Sequence, residues 1–200
     1  MIAIIDYGAG NIFSVKNALD YLGVENKLTA DRNEICAADE IILPGVGAFP
    51  WAMKMLRDSG LEDTIREEAK KKPFLGICLG MQLIFDKGYE FEETDGLRLI
   101  GGKVEKIDRK DMIIPHMGWN ELEINRDCPI LKGLPEHPYV YFVHSYAAVC
   151  DDANVSAYCD YGGKITALVH DGAYVYGAQF HPEKSGEVGL QMLRNFAELT

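Results

Sequence analysis

The chain has 200 residues, of which 48% are hydrophobic and 26% charged, enough apolar material for one full core, and it carries a formal net charge of −11. A surface that acidic repels phosphate backbones and anionic lipid, which sets aside nucleic acid and membrane surfaces as partners. No window approaches a membrane-spanning length, and Met1 to Asp6 lacks a basic leader, so a cytoplasmic protein is expected.

In chain order, a short apolar run from Ile2 to Ile5 ends at Asp6 and is followed by Tyr7-Gly8-Ala9-Gly10-Asn11. Val15, Ala18, Leu19 and Leu22 then recur at helical spacing, and Gly23 stops the helix. Val24 to Leu28 reads as a second strand. Glu40 to Leu43 reads as a third, ending sharply at Pro44-Gly45-Val46-Gly47. Helical stretches follow near Trp51 to Arg57 and Leu61 to Lys71. Pro73 opens a fourth strand, Phe74 to Ile77, that ends at Cys78, and a helical run covers Met81 to Phe85. Alternating strands and helices predict a mostly parallel central sheet flanked by helices, an α/β fold. From Leu97 to Tyr176 the pattern changes to short β-like runs broken by Gly and Pro, which extend the sheet or form an antiparallel flap. Glu187 to Leu199 closes the chain as an amphipathic helix. No repeat or composition shift divides residues 1–200, so a single domain is expected.

The five cysteines, Cys36, Cys78, Cys128, Cys150 and Cys159, are odd in number and irregularly spaced. They match neither a disulfide framework nor a zinc site, and most are expected to be small buried thiols; no metal or other cofactor is expected. Cys78 differs in context. Gly76-Ile77-Cys78-Leu79-Gly80 lies between a strand and a helix, the arrangement of a nucleophile elbow with cysteine in place of serine. So tight a turn needs small flanking residues. The helix behind it directs free N–H groups at the thiol, favouring the thiolate and offering the Leu79 amide to an oxyanion. Read alone, the same five residues also describe a buried cysteine between two glycines.

A thiol nucleophile needs a base, and the base an orienting group. His181 follows an apolar run and reads His181-Pro182-Glu183. In an extended segment residues i and i+2 share a side, and Pro182 favours extension at His181, so Glu183 is expected to reach the imidazole. A surface His–Glu neighbour pair is the plainer alternative. His137 reads as a loop residue between Glu136 and Pro138, His170 as a hairpin-turn residue beside Asp171-Gly172, and His144 as a core or pocket residue in an aromatic strand. Pro44-Gly45-Val46-Gly47 leaves the third strand at the sheet edge that also holds Cys78, where its glycines free the Val46 backbone to serve an oxyanion, or simply make a strand-to-helix turn. Gly8-Ala9-Gly10-Asn11 lacks a third glycine and is a poor dinucleotide fingerprint.

With these residues in place, the chain resembles the class I (triad) glutamine amidotransferases, which have a flavodoxin-like fold. The shared motifs are Gly76 to Gln82 and His181-Pro182-Glu183. Within that family it is most similar to the glutaminase subunits of imidazole glycerol phosphate synthases, through Asp6 to Asn11, Pro44 to Phe49, Pro115 to Asn120, Tyr141 to Tyr146 and Gln179 to Ser185. The resemblance implies catalytic roles for Cys78, His181 and Glu183. It implies glutamine contacts from Gln82, Ser145 and Tyr146, and an oxyanion site at Gly45, Val46, Gly47 and Leu79. It also implies a partner, a separate (β/α)8 cyclase subunit that receives ammonia in a heterodimer. Asn11, Met117, Trp119, Tyr141 and Lys184 are candidates to face that partner, because aromatics and Met are enriched at interfaces; Trp119 and Tyr141 read equally well as core residues. A glutaminase serving anthranilate, GMP or pyridoxal phosphate synthesis, a free-standing cysteine hydrolase, and a non-catalytic binding subunit are the rival readings.

Overall fold

The computed structural model describes residues 1–199. Its strands are β1 (Ile2–Ile5), β2 (Asn26–Thr29), β3 (Glu40–Gly45), β4 (Phe74–Cys78), β5 (Lys87–Gly88), β6 (Thr94–Asp95), β7 (Gly102–Lys106), β8 (His116–Glu121), β9 (Glu123–Ile124), β10 (Tyr139–His144), β11 (Tyr146–Cys150), β12 (Val155–Asp160), β13 (Lys164–His170) and β14 (Val175–Ala178). Its helices are α1 (Ile12–Tyr21), α2 (Arg32–Ala37), α3 (Phe49–Asp58), α4 (Glu62–Glu68), α5 (Leu79–Leu83) and α6 (Gly186–Ala197). The central sheet has eight strands in the order β2-β1-β3-β4-β14-β13-β12-β9. The first five run parallel and the last three antiparallel.

The expected α/β class is the one found, and the alternation of side chains explains it. Along β1, β3 and β4, Ile4, Ile42, Leu75 and Ile77 enter one core with Val15 and Leu19 of α1 and Leu193 and Phe196 of α6. Ile5, Ile41, Leu43 and Phe74 enter the opposite core with Ile35, Met53, Leu56 and Ile65 of α2, α3 and α4. Strands covered on both faces need apolar residues at nearly every position, which is why these runs are short and continuous. Both alternatives for the second half occur: β13, β12 and β9 extend the sheet, while β8 and β10 form a separate antiparallel ribbon. Among the described residues, no helix is long and apolar enough to cross a membrane.

Helix α2 was not anticipated, because six residues with Ile35 alone buried show no period; it is fixed by Asp31, whose carboxylate accepts from the Asn33 and Glu34 amides at 2.7 and 3.2 Å. The helix after Cys78 begins at Leu79, as the elbow requires, and ends at Leu83 rather than Phe85.

Candidate active site

Cys78 ends β4 with φ 54° and ψ −110°, a left-handed conformation that costs a non-glycine residue energy. The packing around it shows why its neighbours are glycines. A Cβ on Gly80 would lie 1.8 Å from the Leu43 carbonyl oxygen, and one on Gly76 would lie 2.6 Å from the Gly80 carbonyl oxygen. A Cβ on Gly45 would lie 2.6 Å from the Gly80 nitrogen. The first turn of α5 is thus pressed onto the ends of β3 and β4, and Cys78 is thrust up at the sheet's carboxyl edge.

His181 follows β14, the strand beside β4. Its Nδ1 donates to Glu183 Oε1 at 2.8 Å, which leaves Nε2 free to serve Cys78, whose sulfur raises the ring's pKa; the thiol itself faces the Val143 carbonyl, 3.9 Å from Sγ. The His181 and Glu183 side chains are 2% and 1% exposed, so this is no surface pair. The expected extended path holds at His181 only. Pro182–Lys184 is a short 3-10 turn, and that turn, rather than strand alternation, brings Glu183 back under the imidazole. The His181 backbone is clamped on both sides: its N–H donates to the Tyr141 carbonyl at 2.9 Å, and its carbonyl accepts from Ser185 Oγ at 2.6 Å. Burial pushes the His181 ring toward the neutral form, but the Cys78 sulfur and the Glu183 carboxylate outweigh it and raise its pKa to about 9.

A cavity of about 360 Å³ opens over these groups, a volume suited to a small molecule such as an amino acid. Val46, Gly47, Cys78, Leu79, Gln82, Ser145, Tyr146, His181 and Lys184 line it. Gly45 does not; it lies beneath, within β3, opposite Cys78 in register. Three lining groups were not singled out from sequence as site residues: Glu90, Pro115 and Val143. Glu90 is the notable one, because its Oε2 accepts the Phe49 amide at 2.8 Å, capping α3 just after the Gly45–Gly47 loop, while the same side chain borders the cavity. It comes from the β5–β6 connection, where nothing local in the sequence distinguishes it from Glu92 or Glu93.

Beneath the cavity lies a polar network. The Tyr146 carbonyl accepts from His144 Nδ1 at 2.8 Å and from Gln82 Nε2 at 2.9 Å. Burial lowers the His144 pKa to about 4, so the ring is neutral with its proton on Nδ1, and its Nε2 accepts from His116 Nδ1 at 3.0 Å. His144 is therefore a wall residue with a fixed tautomer, as its place in an aromatic strand suggested. His137 pairs with Glu121 at the surface, and His170 stacks on Tyr176 with ring centroids 4.1 Å apart.

The β8–β10 ribbon explains the remaining candidates. Register pairs Trp119 with Tyr141 and Met117 with Val143, so these four share one face, while His116, Phe142 and His144 share the buried one. Trp119 is 53% exposed and Met117 59%, which excludes a core role for either. Trp119 meets Tyr141 edge-on at 6.0 Å. Because Val143 also borders the cavity, the exposed aromatic face runs to the cavity mouth. Lys184 is exposed at the same rim, and Asn11 is half-buried at the start of α1. Among the described residues, no three His, Cys, Asp or Glu side chains cluster to hold a metal ion. Of the cysteines, Cys78, Cys128 and Cys159 are buried, Cys150 is half-buried, and Cys36 departs from expectation by being exposed.

The site therefore holds a strained cysteine at the carboxyl edge of a parallel sheet, electrostatically coupled to a histidine that is held by a glutamate. Residues 3–199 match the class I glutamine amidotransferase family, and the chain belongs to it. A Bacillus cereus protein named imidazole glycerol phosphate synthase subunit HisH is 51% identical over 197 residues, covering 98% of this chain and 93% of its own. A Listeria monocytogenes protein of the same name is 48% identical over 202 residues, covering 100% of this chain and 96% of its own. The fold is also similar to a crystal structure of a glutamine amidotransferase, with TM-score 0.77, 23% identity and coverage of 100% and 98% of the two chains. PurLQS from Thermotoga maritima gives TM-score 0.75 at 20% identity, with 98% and 96% covered.

Proposed function

We propose that this chain is the glutaminase subunit of an imidazole glycerol phosphate synthase. The observation that carries the chemistry is the buried Cys78–His181–Glu183 chain at the base of an amino-acid-sized cavity. The Cys78 thiolate attacks the side-chain carbonyl carbon of glutamine. Charge on the carbonyl oxygen is received by backbone N–H groups of the Val46 loop and Leu79. Nε2 of His181, as imidazolium, protonates the departing nitrogen, and ammonia leaves a γ-glutamyl thioester. The now neutral imidazole takes a proton from water, which attacks the thioester, releases glutamate and restores the thiolate. Glu183 holds the ring and offsets its charge. Gln82, Ser145 and Tyr146 contact the glutamine head group, and Glu90 supplies the carboxylate nearest to hand for its ammonium.

The choice among amidotransferases rests on the 48–51% identity to proteins named as HisH subunits of imidazole glycerol phosphate synthase, over nearly the full length of both chains. On that reading a (β/α)8 cyclase subunit docks over the cavity mouth and takes the ammonia. It reacts there with a ribulosyl aminoimidazole carboxamide nucleotide, giving imidazole glycerol phosphate and aminoimidazole carboxamide ribotide. A covered mouth keeps ammonia from water, a physical reason for two subunits. Residues 1–200 act as one amidotransferase domain in the cytoplasm, with no metal or cofactor.

The test is glutamate release from glutamine by the purified chain alone, then with the cyclase subunit and its nucleotide ligand, with Cys78→Ala as control. Weak release alone that rises strongly with both additions and vanishes in the variant is expected. Full activity alone would replace this reading with an independent hydrolase, and an unchanged Cys78→Ala variant would leave a binding role.

A further inference from the structure

Cys78 has two strand neighbours. On one side, register pairs it with Gly45 of β3. On the other, Ala178 of β14 pairs with Ile77, so the next residue, Gln179, stands beside the nucleophile. Gln179 is fully buried, and its backbone N–H is fixed on the Ala167 carbonyl at 2.9 Å. A buried amide must find partners for both its ends. The Tyr146 carbonyl can only accept, so Gln82 must turn its Nε2 toward it; the second N–H of the same Nε2 donates to Gln179 Oε1 at 3.0 Å. With its oxygen committed to Gln82, Gln179 must present Nε2 to Cys78 Sγ, which lies 3.9 Å away.

We propose that Gln179 donates a hydrogen bond to the Cys78 thiolate, its amide aimed by Gln82 and the Tyr146 carbonyl. The contact is long for a neutral thiol. It tightens when the sulfur ionises, because a charged acceptor draws its donor closer, and catalytic bonds shorten once the reacting state forms. The same relay spends both N–H groups of Gln82, so only its Oε1 is left for the cavity. Gln82 therefore meets substrate as an acceptor, which suits an ammonium or amide N–H. The inference rests on the glutaminase reading and adds a donor to the sulfur: the Val143 carbonyl, 3.9 Å from Sγ, can only accept and serves the thiol, whereas Gln179 can serve the thiolate.

The test follows alkylation of Cys78 by iodoacetamide across pH in the full-length chain, with the Cys78 peptide quantified by mass spectrometry because Cys36 is exposed. Gln179→Met keeps the length and removes the donor. Its alkylation at neutral pH is expected to fall about tenfold, the worth of a hydrogen bond to a charged group, and to converge on the unmodified chain at alkaline pH, where the thiolate forms regardless. With the cyclase subunit present, kcat should fall by a similar factor with KM nearly unchanged. Gln179→Glu keeps the Gln82 contact but places a carboxylate at the sulfur, and should fall further; it carries the test if the methionine variant does not fold. Alkylation of both variants equal to the original chain at neutral pH would overturn the proposal, as would an equal loss at every pH. Because alkylation needs no glutamine turnover, a chain that never releases glutamate yet shows this profile would sink the glutaminase reading and leave the Gln179 bond standing.

Discussion

Burial alone would drive the proton off His181, yet its pKa stands at about 9 against an ordinary 6.5, because a sulfur on one side and a carboxylate on the other both favour the imidazolium. Glu183 Oε2 has no hydrogen-bond partner among the described residues, so the imidazolium is the main compensation for that buried carboxylate. The sign of the linkage follows: a raised pKa adds stability that is complete below pH 6.5 and is lost as pH rises through about 9. The melting temperature of the chain is expected to fall more steeply between about pH 7 and about pH 10 than that of Cys78→Ala, which lacks the thiolate partner. Parallel curves in a calorimetric pH series would remove the sulfur from the account. Glutaminase activity should decline above about pH 9, as the acid that protonates ammonia disappears. Glu183→Gln is expected to lower kcat by about 10²-fold or more and to move that alkaline limb to lower pH, read from a pH–rate profile.

At the scale of elements, the elbow is a packing solution before it is a catalytic one. Helix α5 approaches β3 and β4 so closely that Gly80 meets the Leu43 carbonyl with no room for a methyl group. Gly80→Ala is expected to cost about 1–3 kcal/mol by overpacking, read from urea unfolding, and to depress activity by displacing Cys78. An alanine tolerated there with full activity would mean the elbow can relax. Helix α2 lines no part of the cavity and supplies the contrast. Asp31→Ala removes its cap and should cost about 1 kcal/mol of stability while glutamate release stays unchanged. The loop from Gly45 to Gly47 joins the two concerns. It leaves β3 beside the nucleophile and enters α3, whose first amide is held by Glu90. Gly45 is packed against α5, whereas Gly47 has φ +104° with open space around it, a backbone conformation that favours glycine. If partner docking brings an amide of this loop into the oxyanion site, the isolated chain lacks a donor worth about 10²–10³ in rate.

For the whole molecule, the proposed function puts the partner against the exposed face of the β8–β10 ribbon. Met117, Trp119 and Tyr141 lie in register on one side, and that side reaches the cavity mouth through Val143. Trp119→Ala is expected to leave the melting temperature nearly unchanged, because the ring is 53% exposed, and to weaken binding of the cyclase subunit at least tenfold by calorimetric titration. Undiminished affinity would move the interface elsewhere. The strong acidity of the chain also predicts salt-dependent association with a basic partner face.

Much of the frame was readable before the structure because it depends on local rules. Short continuous apolar runs alternating with helical spacing dictate a doubly covered parallel sheet, and Gly-x-Cys-x-Gly at a strand end dictates a turn too tight for larger neighbours. The His181-Pro182-Glu183 spacing brought base and carboxylate together on the page, though for a reason the 3-10 turn replaced. What escaped was set by distance along the chain. Glu90 reaches the cavity, Gln179 stands beside the sulfur, and Gln82 meets the Tyr146 carbonyl and Gln179 only once residues 64 and 97 positions apart are brought together. Sequence by itself determined which segments became strands, helices and tight turns, since those follow from side-chain period and backbone sterics. Only the tertiary structure decided which buried donors meet which acceptors, because a polar group withdrawn from water takes whatever partner packing places within reach.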